Sequence, residues 1–309
     1  MIRTVCLNPA LDKTVQVDGF AVDAVNRISD VRIDAGGKGI NVSKVIKELG
    51  GSSKAYALLA GATGSRIADM VGQLGIDLVY VTPKGETRTN LKVVDKARHT
   101  NTDINEPGPL VTSEDLEALL DLLLADLDAG DVVVLAGSLP KGAPTDTYAR
   151  WIHAISEVGA QAFLDADGEV LAAGIAAGPA LIKPNDHELA DLVGRDLPDT
   201  ASIVAAAHEL MDKGARRVVV SLGGEGALFV TPERTVRARA PKVPVGSTVG
   251  AGDSVVAAVA VAQQAGLSIE ETARLGVATG AANVMQSGTQ AAPRSLVDDL
   301  AGKVIVEEL

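Results

Sequence analysis

Apolar and polar residues alternate along this chain with two different repeat lengths. Short apolar runs fall at residues 2–7, 55–59, 132–135, 163–165, 180–182 and 218–221. Their length and their polar or glycine borders predict buried strands. Between them apolar residues recur at helical spacing. Val42, Val45, Ile46 and Leu49 form one stripe that stops at Gly50-Gly51. Residues 67–74 form another, and Thr112-Ser113-Glu114 opens a helix running through Leu127. This repeated strand–helix rhythm predicts an α/β fold with a mostly parallel central sheet flanked by helices on both faces. Strictly alternating segments at 14–18, 31–34, 87–94 and about 100–104 break the rhythm and read as half-exposed strands. They predict a small β-sheet lid inserted at about 12–34 and 86–105 in one domain spanning 1–309. In such sheets ligands bind beyond the carboxyl ends of the strands, where the glycine and polar clusters of this chain also fall.

The stretch at 246–266, GSTVGAGDSVVAAVAVAQQAG, carries the sharpest chemistry. A loop with Gly250, Ala251 and Gly252 leads into a helix that is apolar on nearly every side and that Gly266 is placed to end, so the helix is expected to be buried. Small residues at a helix start leave backbone N–H groups bare, and with the helix dipole they suit an anion. Asp253, in the first turn, would repel that anion unless it serves to take a proton from a group attacking it. The pairing points to phosphoryl transfer to an alcohol. The competing reading is an ordinary acidic first-turn residue behind a glycine turn. A second strand–glycine loop–helix unit starts at Ala35-Gly36-Gly37-Lys38-Gly39.

Composition narrows the choices. Aromatic residues make up only 2% of the 309 residues against 47% hydrophobic, so Val, Leu, Ile and Ala must build the core. A net charge of −12 argues against nucleic-acid and anionic-membrane partners. It also means that a site for a phosphorylated ligand must gather Lys and Arg locally. Cys6 is the single cysteine and sits in an apolar strand, and His99, His153, His187 and His208 lack zinc-ligand spacing. No signal-peptide pattern opens the chain, and no apolar run approaches the ~20 residues of a membrane span. A soluble, cytoplasmic protein is the expectation. The P-loop, dinucleotide and protein-kinase signatures are all missing, which disfavours a dehydrogenase.

Asp12 after LNPA, AGGKGIN at 35–41, GSLPKG at 137–142, KPN at 183–185 with Glu188, SLGGEG at 221–226 and GAGDS at 250–254 occur in this order. Each is weak alone, but the ordered set, spanning nearly the whole chain, resembles the PfkB carbohydrate kinases, which have a ribokinase-like fold. LNPALD, AGGKGINV, TRTN and INEPGP are most similar to the branch acting on phosphoketohexoses, with fructose 1-phosphate the first choice and tagatose 6-phosphate or fructose 6-phosphate the alternatives. The resemblance implies ATP and Mg²⁺ as cofactors, Asp253 as catalytic base, and the N–H groups of Gly250, Ala251, Gly252 and Asp253 as the anion hole for the transferred phosphoryl group. It implies sugar contacts from Asp12, Gly36, Gly37 and Asn41; a turn residue and a helix-start residue are the bland readings of Asp12 and Asn41.

Arg27, Lys38, Arg88 and Ser138 are the candidates for the substrate's own phosphate, with Lys141 a weaker one, since a phosphate favours Arg forks and a Lys point charge. Arg88 lies on the expected lid, so lid closure would complete that cluster. Nucleotide contacts are expected from Lys183, Asn185, Ser221, Gly223, Gly224, Gly226, Thr248, Gly250, Gly252 and Asn283, the last placed on the final helical stretch. Asn185 also reads as an N-cap, and 221–226 as a tight hairpin. Glu188 and Asp165 are the candidates for organising Mg²⁺ and its waters. The expected partner is a small-molecule sugar phosphate, and the lid's exposed face and edges make a homodimer through the lid an expectation. A non-catalytic sugar-phosphate sensor on the same fold is the alternative from another class.

Overall fold

A computed structural model describes residues 1–286 and 288–309. The larger sheet has the order β14-β13-β12-β11-β10-β9-β8-β1-β4-β5. Its parallel part holds β1 (Ile2–Cys6), β4 (Ser53–Leu58), β5 (Asp77–Val81), β8 (Val132–Ala136), β9 (Gln161–Asp165), β10 (Leu181–Ile182) and β11 (Val218–Ser221). Antiparallel pairing then adds β12 (Ala227–Val230), β13 (Thr235–Arg239) and β14 (Ile305–Glu308). The short apolar runs of the sequence are therefore strands, as their length required. β5 and β14 were not legible, because each is partly exposed and lacks a clean period; β13 was missed although its five residues alternate.

Period-2 alternation sorts the core into two layers. Val133 and Leu135 of β8 face a cluster built with α3 (Ser113–Leu124), α4 (Thr147–Glu157), α5 (Gly168–Ile175), α6 (Asp186–Val193) and α7 (Thr200–Asp212). Val132, Val134 and Ala136 face the opposite cluster, with α1 (Lys38–Glu48), α8 (Ala251–Ala265), α9 (Ile269–Val284) and α10 (Arg294–Ala301). α2 (Gly61–Gln73) packs Ile67 and Val71 beside α1's Ile40 on that second side. The scarcity of aromatics is met by Val and Ala packing: α8 buries nine of its residues, and helix contacts of this kind need small side chains. Gly39 shows how close the approach is, since a Cβ there would lie 2.3 Å from the carbonyl oxygen of Val5. Gly39→Ala is expected to cost roughly 3 kcal/mol, at the upper end of overpacking in cores, read as a lower urea midpoint.

The smaller sheet has the order β3-β2-β6-β7, from β2 (Ala10–Val17), β3 (Ile28–Gly36), β6 (Arg88–Asp95) and β7 (Thr100–Asn105). These are the alternating segments of the sequence. β2 and β6 run parallel, which sets Asp12 opposite Asn90 and Ala10 opposite Arg88. Among the described residues no helix is long and apolar enough to cross a membrane.

Candidate active site

β1 lies between β4 and β8, so the chain leaves it to one side of the sheet first and returns on the other. A crevice opens beyond the strand ends at such a reversal. The N-termini of α1 and α8 and residues of the small sheet border it.

Gly250, at φ 82°, is the N-cap of α8, and no side chain caps the helix. The helix begins at Ala251, two residues earlier than the glycine loop predicted. The Ala251 N–H turns back toward the Thr248 carbonyl at 3.4 Å, which leaves Gly252 and Asp253 to offer the forward amides. Beside them lies the Lys183 ammonium: a Cβ on Gly252 would sit 3.1 Å from its Nζ. Lys183 and Lys38 both reach Asp165 Oδ1, at 3.5 and 3.3 Å. Two cations thus gather on one carboxylate next to an uncapped helix end, the local concentration of lysine that an anion site in an acidic protein requires.

Asp253 is buried, and its Oδ2 accepts a hydrogen bond of 2.9 Å from Asn41 Nδ2. Burial, reinforced by the nearby charge of Asp165, pushes its pKa up to about 6, against the opposing pull of Lys38, Asn41 and Lys183. Burial works against charge on Lys38, yet the carboxylates of Asp165 and Asp253 outweigh it and hold its pKa above the ordinary lysine value.

Two cavities meet at this helix end. One, of about 340 Å³, is lined by Asp12, Lys38, Asn41, Arg88, Asn90 and Asp253, among others. The other, of about 850 Å³, takes in Asn185, Ser221, Thr248, Ala251 and Gly252, together with Gly223, Gly224 and Gly226. The Gly250–Asp253 turn is shared, with Gly250 and Asp253 facing the first cavity and Ala251 and Gly252 the second.

In the smaller cavity Asp12 Oδ1 accepts a hydrogen bond of 3.1 Å from Asn90 Nδ2, and burial raises its pKa against that bond. Gly36 leaves room for Asp12, since a Cβ there would lie 2.0 Å from Asp12 Oδ2. Gly37 lines the same cavity. Arg88 Nη2 donates to the Asn8 carbonyl at 2.9 Å, and Asn8 Nδ2 donates to Ser138 Oγ at 3.2 Å. Ser138 thus joins the Arg88 side through Asn8 while staying exposed itself. Arg27 is exposed in the loop between β2 and β3 and is not brought to the cavity. Lys141 is likewise exposed.

In the larger cavity the turn at Gly223–Glu225 links β11 to β12, so 221–226 is both the hairpin and the wall of the groove. Asn185 caps α6 in a reciprocal box with Glu188: its side chain accepts from the Glu188 N–H, and Glu188 Oε2 accepts from the Asn185 N–H, both at 2.8 Å. Glu188 and Asn283 do not line the groove. Asn283 is on α9, with α10 still to follow, and its Nδ2 donates to the Val249 carbonyl at 3.1 Å. It braces the loop before Gly250 from behind. Residues that sequence reasoning missed include Asn90, Lys92 and Thr289 in the smaller cavity and Val243, Val277 and Ala281 in the larger. Asn90 and Lys92 follow Arg88 at two-residue steps on one strand face, a signal available in the alternation of that segment; the others carry no local mark.

The fold and this paired-cavity site are those of an α/β phosphoryl-transfer enzyme. The family model described as pfkB family carbohydrate kinase matches residues 7–295, and the chain belongs to that family. It is 39% identical over 308 residues to a 1-phosphofructokinase of Xanthomonas campestris, covering 98% of this chain and 97% of that one. The phosphofructokinase-2 of Escherichia coli in complex with fructose-6-phosphate superposes with a TM-score of 0.92 at 32% identity, covering 98% of each chain. Arabidopsis thaliana ribokinase, complexed with ribose and ATP, matches in fold with a TM-score of 0.77 at 23% identity, over 97% of this chain and 98% of its own.

Proposed function

We propose that this chain phosphorylates fructose 1-phosphate with ATP, giving fructose 1,6-bisphosphate and ADP. The observation that carries the reading is the shared turn: a buried carboxylate faces the smaller cavity while uncapped amides of the same helix start face the larger one. The smaller cavity takes the sugar phosphate and the larger takes the nucleotide. A hydroxyl of the bound sugar, C6–OH, loses its proton to Asp253 as its oxygen bonds the γ-phosphorus, and the bond to the β–γ bridging oxygen breaks to release ADP. The Gly252 and Asp253 amides and Lys183 stabilise charge on the migrating group, since this chemistry needs positioning and electrostatics more than covalent help. Asp12 and Asn90 hold sugar hydroxyls. Lys38 and Arg88 hold the substrate's own phosphate. The walls at Ser221–Gly226 and Thr248 receive the nucleotide.

Mg²⁺ fits this donor set as a partner of the nucleotide. Asp165 Oδ2 is buried with no hydrogen-bond partner, and Glu188 keeps one oxygen outside its capping box. Among the described residues no cluster of three or more acidic, His or Cys groups exists that would bind a metal by itself. Mg²⁺ takes few protein carboxylates and keeps waters and phosphate oxygens. When bound it offsets phosphate charge.

The identity to a 1-phosphofructokinase supports fructose 1-phosphate as the acceptor, while the close superposition on a fructose-6-phosphate complex keeps a 6-phosphofructokinase reaction as the second reading. A side-by-side panel of fructose 1-phosphate, fructose 6-phosphate and tagatose 6-phosphate decides by kcat/KM. The highest value for either 6-phosphate removes the first reading, and no sugar-dependent ATP consumption at all would favour a sensor.

The base must be ionised to act. With its pKa near 6, kcat/KM is expected to rise about tenfold per pH unit below that value and to level off above it. A flat profile from pH 5 to 8 removes Asp253 as the titrating group.

The small sheet acts as a lid over the sugar cavity and pairs with a second copy. All of β7 is exposed, with Ile104 at 53%, and Val22 and Val25 are 89% and 84% exposed on the loop that joins β2 to β3. Uncovered apolar side chains at an open sheet edge favour association. Sedimentation is expected to give twice the 31.6 kDa chain mass, reduced toward one by Val25→Asp. A monomeric wild type removes the pairing.

A further inference from the structure

α8 carries Asp253 at its N-terminal end; the other end borders a separate cavity that the kinase reaction leaves unused. This cavity, of about 110 Å³, lies at the amino-terminal edge of the parallel strands, beside the start of β10 and β11. Its floor is apolar, from Leu181, Val219 and Phe229, and Val259, Leu267 and Ile269 wall it on the helix side. Arg217 projects into this setting. Its Nε donates to the Ala180 carbonyl at 3.2 Å, its Nη1 donates to Gln263 Oε1 at 2.8 Å, and its guanidinium lies 5.6 Å from the Phe163 ring centre. Among the described residues Nη2 has no hydrogen bond, and no carboxylate lies within ion-pair distance of the guanidinium.

An arginine so placed is unusual in a chain with a net charge of −12. Arg3, which is more deeply buried, is answered by Asp131 and Asp126. The acids beside the cavity are already committed: Glu270 pairs with Arg234, and Glu271 Oε2 accepts from the Ser268 N–H. Burial accordingly lowers the Arg217 pKa with no opposing charge. A partly desolvated cation with only neutral partners carries an electrostatic cost that an incoming anion would relieve. Gln263 is oriented by its oxygen on Arg217, which leaves its NH₂ as a second donor at the same wall.

We infer that this cavity is a binding site for a small aliphatic carboxylate, held by Arg217 and Gln263 with its hydrocarbon tail against Leu181, Val219 and Phe229. The volume suits a tail of about three to five carbons, given that an engineered cavity of ~150 Å³ holds benzene. The apolar floor disfavours inorganic phosphate, which would have to shed its hydration against hydrocarbon.

The test is calorimetry and ligand-observed NMR on the full chain, with its active site saturated by ADP and fructose 1-phosphate so that anions cannot bind there. The probes are butyrate, 2-oxobutyrate and isovalerate, with butyramide and inorganic phosphate as controls. Saturable binding of at least one carboxylate is expected, with butyramide and phosphate at least tenfold weaker. Arg217→Gln, which retains hydrogen bonding without charge, is expected to weaken the carboxylate at least tenfold and to leave kcat and both KM values unchanged. Thr272→Leu, which fills the cavity from α9 while sparing Arg217, is expected to abolish binding as well. No saturable carboxylate binding by the wild type overturns the site. So does equal binding of butyramide, or undiminished binding by folded Arg217→Gln.

Discussion

Asp253→Asn is expected to lower kcat by about 10²–10⁴-fold, the range a positioned base contributes, with little change in KM for either substrate. The amide keeps an acceptor for Asn41 Nδ2, which now meets Asp253 Oδ2 at 2.9 Å, so the local geometry survives and the loss reports chemistry. The same variant makes a second, opposite prediction about stability. A carboxyl pKa raised from 3.8 to about 6 means that ionising the buried group costs the fold on the order of 3 kcal/mol above that pH. Between those values the folded state holds more protons than the unfolded chain, so stability falls as pH rises through the window. Asp253→Asn removes that cost and is expected to melt higher than the wild type at pH 8, with the gap closing toward pH 4. A near-normal kcat removes the base; an unchanged melting temperature at pH 8 removes the electrostatic account of its pKa.

Arg88→Ala is expected to raise KM for the sugar phosphate about 10- to 100-fold, because hydrogen bonds to charged groups contribute about 1.5–3 kcal/mol. KM for ATP should move by no more than roughly twofold, since Arg88 borders the smaller cavity and not the larger. Arg88 also holds the Asn8 carbonyl, so a purely structural role needs its own control. Unphosphorylated fructose supplies one: its low turnover should be equal in the wild type and the variant if Arg88 acts on the phosphate. Arg88→Lys keeps the charge but loses the planar fork and should fall between the two. An unchanged KM for the sugar phosphate takes Arg88 out of the phosphate site.

Several local features of the candidate site were readable because they rest on chain chemistry within a few residues. Gly250 through Asp253 announces an uncapped helix start, and the structure leaves it uncapped. Asn185 reads as an N-cap, and it is one, with Glu188 as its reciprocal partner. That same bond turns Glu188 away from the groove wall, a detail that sequence reasoning toward a metal role does not anticipate. Arg27 and Arg88 look equivalent as cations within the predicted lid insertions, yet only Arg88 reaches the cavity. The difference comes from pairing: β6 lies parallel to β2 with Arg88 opposite Ala10 at the strand end nearest the crevice, whereas Arg27 precedes β3 at the far end.

Taken alone, the order of residues determined the strand–helix alternation, the buried apolar helix at α8, the two glycine turns and the acid placed in the second of them. These follow from steric and hydrogen-bonding preferences that act within a few residues. Only the tertiary structure decided that Asn41 would hold Asp253 across 212 residues of chain, that Lys38 and Lys183 would share Asp165, and that Arg217 would be left without an acidic partner. Parallel strands pair through long crossovers that leave no mark in the intervening sequence, so which side chains meet at a strand end is set by the order of the whole sheet.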